Sequence, residues 1–76
     1  MNFEPFLIDF AEIFHVKADQ LTEDFPLSKI EWDSLGIIQT LALVDEHFNI
    51  SIDGSRLAKC ERFGDVLKSI KQCMGD

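Results

Sequence analysis

Apolar residues in this chain recur at helical spacing in three stretches and at strand spacing in none, which constrains the fold to packed helices. Phe3, Phe6, Leu7, Phe10, Ile13 and Phe14 form the first stripe, with Glu4, Asp9 and Glu12 on the opposite side. Asn2 is placed to cap that helix, and Pro5 falls in its first turn, where its missing N–H costs nothing. A second helix is expected from Ser34 to Phe48, with Ile37, Leu41, Val44 and Phe48 as its stripe and Ile38 widening it. Asn49 is placed to end it, because Asn tolerates the left-handed conformation of a helix C-terminus. "ISIDGS" then reads as a turn-rich connection and "SRLAKCE" as one or two helical turns. Phe63, Val66, Leu67, Ile70, Cys73 and Met74 share one face of a last helix.

A chain of 76 residues holds one core, so residues 1–76 are read as a single domain. The expected fold is all-α: a small four-helix bundle of three main helices and one short one. Between the first two helices lies "KADQLTEDFPLSKIEWD", residues 17–33, where Pro26 and scattered acids break the periodicity. Leu21, Phe25, Leu27 and Ile30 make this stretch too apolar for a free linker, so it is expected to lie pinned across the bundle as a long ordered loop.

The net charge of −7 is unevenly distributed. Residues 1–55 carry eleven acids against Lys17 and Lys29, a balance of −9, whereas residues 56–76 stand at +2. An acidic surface of this kind repels nucleic acid and anionic membranes and favours partners with basic surfaces. Cys60 and Cys73 lie thirteen apart without a CxxC or a matching pair of histidines, so neither a zinc site nor a redox motif is signalled. Reduced thiols, an acidic N-terminus without a basic region and the lack of an apolar run of about 20 residues together point to a cytoplasmic protein without a membrane span.

The stretch with most chemical content is "EWDSLG", residues 31–36, at the start of the second helix. A nucleophilic Ser34 would need a base and an oxyanion site, and the GxSxG elbow is absent. His47 lies thirteen residues along the same helix, roughly 20 Å away at 1.5 Å per residue, which leaves His15 as the one geometrically open base. A helix cap formed by Asp33 or Ser34 is the second reading, worth about 1 kcal/mol. The third is covalent attachment through a phosphodiester, since a helix N-terminus presents free N–H groups and a positive dipole to an anion.

"DSLGIIQTLALVDEHFNISI" resembles the second-helix signature of acyl and peptidyl carrier proteins, and the resemblance extends over most of the chain. An aromatic follows fourteen residues after the serine (Phe48), then "NISI", a short basic helix and "FGDVLKSI" in the last helix. The resemblance implies a stand-alone, monomeric carrier on which Ser34 bears a covalent 4′-phosphopantetheine delivered from coenzyme A by a phosphopantetheinyl transferase. The arm would hold acyl or aminoacyl intermediates as thioesters. The domain itself would catalyse nothing and bind no metal. Its further partners would be a loading ligase and downstream transferases with basic docking surfaces. The competing reading is a non-catalytic interaction module in which Ser34 is a cap only.

By the same resemblance Asp33, Leu35, Gln39, Ala42, Asp45 and Glu46 are the candidate partner-recognition residues. Leu35 would border the arm, facing partners or partly buried. Ala42 and Leu43 lie off the main stripe and would add an apolar contact patch or pack on the loop. Carriers of fatty-acid synthesis have acids after D-S-L and three residues further on, where this chain has Gly36 and Gln39. Only Asp45 and Glu46 keep charge in the later half of the helix. "DSLGIIQ" is closer to D-alanyl carrier proteins, and "EWDSL" resembles carriers of specialised biosynthetic clusters; both point away from fatty-acid elongation. Trp32 is expected to anchor the loop, and Cys60 to be a small core residue.

Overall fold

The computed structural model describes residues 2–75, which form helices α1 (Glu4–Phe14), α2 (Ser34–Phe48), α3 (Gly54–Ala58) and α4 (Phe63–Cys73). The all-α, three-plus-one helix organisation expected from periodicity is therefore the one found. The first helix begins two residues after Asn2, at Glu4. Asn2 still serves it, because its Oδ1 accepts the Glu4 N–H at 3.0 Å from one position outside the cap. His15 and Asn49 close α1 and α2 with left-handed backbones at φ of 58° and 54°, and Asn49 is the terminator its residue type indicated.

Aromatic rings hold α1 against α2 and α4. Phe6, Phe10 and Phe63 are fully buried, with ring centroids 4.9 Å apart for Phe10–Phe63 and 5.9 Å for Phe6–Phe10. Phe3 and Phe6 pack on Phe48 at the end of α2, while Phe14 meets Gly36 at its start, so the two helices run antiparallel. His47 and Asp9 add a polar contact to the same interface at 2.7 Å. Leu27, Val44, Leu57, Val66 and Ile70 complete the buried centre.

The buried face of α2 is not the one its apolar stripe indicates. Gly36, Thr40, Leu43 and Val44 are buried, Ile37, Leu41 and Phe48 are only partly so, and Ile38 is exposed. The helix is rotated so that its small residues meet α1, and the Thr40 hydroxyl is satisfied by donating to the Gly36 carbonyl at 2.9 Å. Leu43 is therefore core and not part of a contact patch, while Ala42 is exposed. Met74 lies past the end of α4 and is exposed, so it drops out of that helix's buried face.

The α1–α2 connection is an ordered strap with two short 3₁₀ turns, Ala18–Gln20 and Leu27–Lys29. Leu21, Phe25 and Leu27 are buried beneath it. Its backbone is tied to the start of α4 by three hydrogen bonds: Phe63 N–H to Phe25 O at 2.8 Å, Leu27 N–H to Glu61 O at 2.9 Å and Gly64 N–H to Glu23 O at 3.0 Å. Trp32 fixes the end of the strap, donating from Nε1 to Leu57 O at 3.0 Å and packing on Phe10 and Phe14. Cys60 is only half-buried, its thiol 3.4 Å from Arg56 O, and burial pushes the thiol pKa up.

Gly36 is where the strap and α1 press most closely on α2. A Cβ there would lie 2.6 Å from Glu31 O and 3.0 Å from the Phe14 ring. The obstructing oxygen is backbone, so it cannot rotate away. Gly36→Ala is expected to destabilise the protein by about 1–2 kcal/mol in urea unfolding, since overpacking outweighs the gain of ~1 kcal/mol in helix propensity. An increase in stability would show that the strap yields freely.

Candidate functional site

Asp33 and Ser34 have different roles at the head of α2. Asp33 has an extended backbone and its Oδ1 accepts the Gly36 N–H at 2.9 Å, while its carbonyl accepts the Ile37 N–H. Asp33 is thus the N-cap. Ser34 is the first helical residue, it is exposed, and its hydroxyl has no hydrogen-bond partner among the described residues. Of the two caps the dipeptide left open, only Asp33 is realised.

That arrangement fits a covalently attached phosphopantetheine group. The Ser34 Oγ reaches solvent without first breaking a protein contact. The N–H groups of Ser34 and Leu35 are not engaged by the described residues, so the helix end retains donors and a positive dipole beside the serine. No base among the described residues is hydrogen-bonded to Ser34. His47 is engaged with Asp9, and His15, although it lines a cleft with Asp33 and Leu35, makes no hydrogen bond to Ser34.

Five of the six candidate recognition residues lie on the outer surface of α2, and Asp33 is exposed at its cap. Leu35, Gln39, Ala42, Asp45 and Glu46 are all exposed, with Leu35 at 64 %. Ile38 joins them at 61 % exposure. It was assigned to the core stripe by periodicity, yet it stands one turn after Ser34, at i+4, on the same side of the helix. Leu35, Ile38 and Ala42 make a short apolar strip that begins beside Ser34 and ends at Asp45 and Glu46. The one signal available in the sequence was that two stripes overlap on α2, and only Gly36 and Thr40 could show which one faces inward.

Gly36 lies on the opposite, buried side. Its lack of charge therefore removes nothing from the outer face, contrary to the expectation that it stands in for a docking acid. Of the two missing charges only the one at Gln39 bears on docking.

The family model for the phosphopantetheine attachment site matches residues 9–70, from the middle of α1 to the end of the core stripe of α4. No curated protein sequence matches the chain. With an exposed serine at the head of the second helix and a match over most of its length, this chain belongs to the phosphopantetheine-attachment family of acyl and peptidyl carrier proteins, which carry a covalent 4′-phosphopantetheine group.

Proposed function

We propose that Ser34 is the attachment residue and that the protein carries acyl or aminoacyl thioesters between enzymes of a specialised biosynthetic pathway. The observation that carries this reading is the free, exposed Ser34 hydroxyl beside a cap made by its neighbour. In loading, Ser34 Oγ forms a phosphodiester with the phosphopantetheinyl group of coenzyme A as the pyrophosphate link breaks and adenosine bisphosphate leaves. The Ser34 proton passes to a base of the transferase. The arm, once attached, presents a thiol for thioester formation. Everything else the chain contributes is position: a capped helix end, an exposed hydroxyl and a face for partners.

Incubation with coenzyme A and a broad-specificity phosphopantetheinyl transferase is expected to raise the intact mass by one phosphopantetheinyl group, and Ser34→Ala is expected to abolish the gain. The same variant should unfold within about 0.5 kcal/mol of the parent, as surface substitutions do. If Ser34 acted only as a cap, the parent would gain no mass and the substitution would cost about 1 kcal/mol.

The outer face of α2 supports a partner with an apolar contact near its active-site mouth and basic groups further along. From Leu35 to Asp45 is ten residues, roughly 15 Å along the helix. Gln39 occupies an outer-face position at which fatty-acid carriers are acidic, which favours a specialised pathway as the setting. Ile38→Asp is expected to lower kcat/KM for the loading transferase about tenfold, equivalent to 1.4 kcal/mol. Glu46→Lys should act mainly through association rate, with a loss that shrinks as salt rises. Equal rates for both variants and the parent would exclude this face from docking.

A further inference from the structure

We infer that the upper part of the arm rests in a surface cleft between the end of α1 and the start of α2, outside the bundle core. This rests on the assignment of the arm to Ser34. The cleft has a volume of about 500 Å³, within the ~300–1,000 Å³ range of small-molecule sites. Ile13, Phe14 and His15 form one wall, Lys29 and Glu31 of the strap another, and Leu35 and Gln39 of α2 the third.

Three observations point to the arm as its occupant. Asp33 and Leu35, the two chain neighbours of Ser34, both line the cleft, so a group attached to Ser34 starts one residue from the rim. Ser34 is also the first residue of α2, and no earlier turn of helix stands between its side chain and the space beyond Asp33. Finally, the lining suits pantetheine's alternating chemistry. Phe14 and Leu35 offer apolar surface to its geminal methyls, and Gln39 and Lys29 offer side-chain donors to its hydroxyl and amides. Gly36 lies in the lining, and its missing Cβ lets Glu31 O and the Phe14 ring close on the start of α2, which shapes that wall.

The bundle interior is a poorer host. Phe10, Leu57, Phe63, Val66 and Ile70 are each 0 % exposed, and the Phe6 and Phe63 rings stack 6.4 Å apart across the centre. Admitting a chain there would break close-packed aromatic contacts. A groove already open to solvent requires no such rearrangement.

The test is isotope-filtered NMR of the holo-protein, with intact mass establishing attachment first. Nuclear Overhauser effects are expected from the arm's geminal methyls to the Phe14 ring and the Leu35 methyls, with amide shifts at Ile13–His15 and Gln39 between apo and holo forms. Glu31→Trp, an exposed substitution on the strap wall that fills the mouth, is expected to abolish the contacts to Phe14 while leaving core amide shifts and arm attachment intact. Attachment without contacts to Phe14, or contacts on the Leu41–Gly54 side of α2, would overturn the cleft assignment alone. Failure of the arm to attach to Ser34 would overturn the carrier assignment and this inference with it.

Discussion

Two backbone carbonyls of the strap lie against two glycines, and the placement of α2 and α4 depends on those contacts. Glu31 O lies 2.6 Å from where a Cβ at Gly36 would be, and Glu23 O stands in the same relation to Gly64, 2.8 Å from the Cβ position. A strap of this length loses much conformational entropy on ordering, at roughly 1–2 kcal/mol per residue. Its compensation is burial of Leu21, Phe25 and Leu27 together with backbone hydrogen bonds to residues 61–64. Those bonds form only because Gly64 lets the chains approach. Once the strap is in place, Trp32 is delivered to Leu57 and Asp33 to the first turn of α2. Ser34 is therefore positioned by a loop, and the loop is positioned by what two helices lack.

The division of roles within Asp33–Ser34 follows from one geometric fact. A capping side chain must leave a residue whose backbone is still extended, because only from there does its oxygen reach the N–H groups of the first turn. Asp33 has that backbone and Ser34 is already helical. Relieved of capping, the Ser34 hydroxyl is available for chemistry at no cost to helix stability. Rigid backbone and free side chain are thus adjacent, the combination that would suit the proposed attachment point: a transferase would meet a preformed helix end and need not order it.

Much of this was legible from residue types. The limits of α2, its termination at Asn49, the ordered strap and the anchoring by Trp32 all follow from periodicity, turn chemistry and apolar content. The rotation of α2 was not legible, and the reason is physical. Its apolar residues cover more than half its circumference, so hydrophobicity alone leaves two candidate inner faces. Close approach to α1 selects the face carrying Gly36 and Thr40, because small residues admit Phe14 and a larger inner face would not. Ile38 was misread for that reason, as was Gly36. A glycine after D-S-L looks like a missing charge in one dimension and is a steric contact in three.

The same rotation explains why the outer face combines apolar and acidic residues. Turning Gly36 and Thr40 inward forces Leu35 and Ile38 outward, where two large aliphatic side chains cost the free protein exposure to water. Monomeric proteins tolerate isolated exposed aliphatics, and the strip that starts beside Ser34 is the surface a partner would use on the proposed reading. Asp45 and Glu46 sit at its far end, within the stretch of residues 1–55 that holds nine excess negative charges. Long-range attraction by that stretch would bring a basic partner close, and the strip would then give short-range fit beside Ser34. On the proposed reading, charge would set the approach, and the uncharged strip at Leu35 and Ile38 would discriminate among partners that charge alone would admit equally.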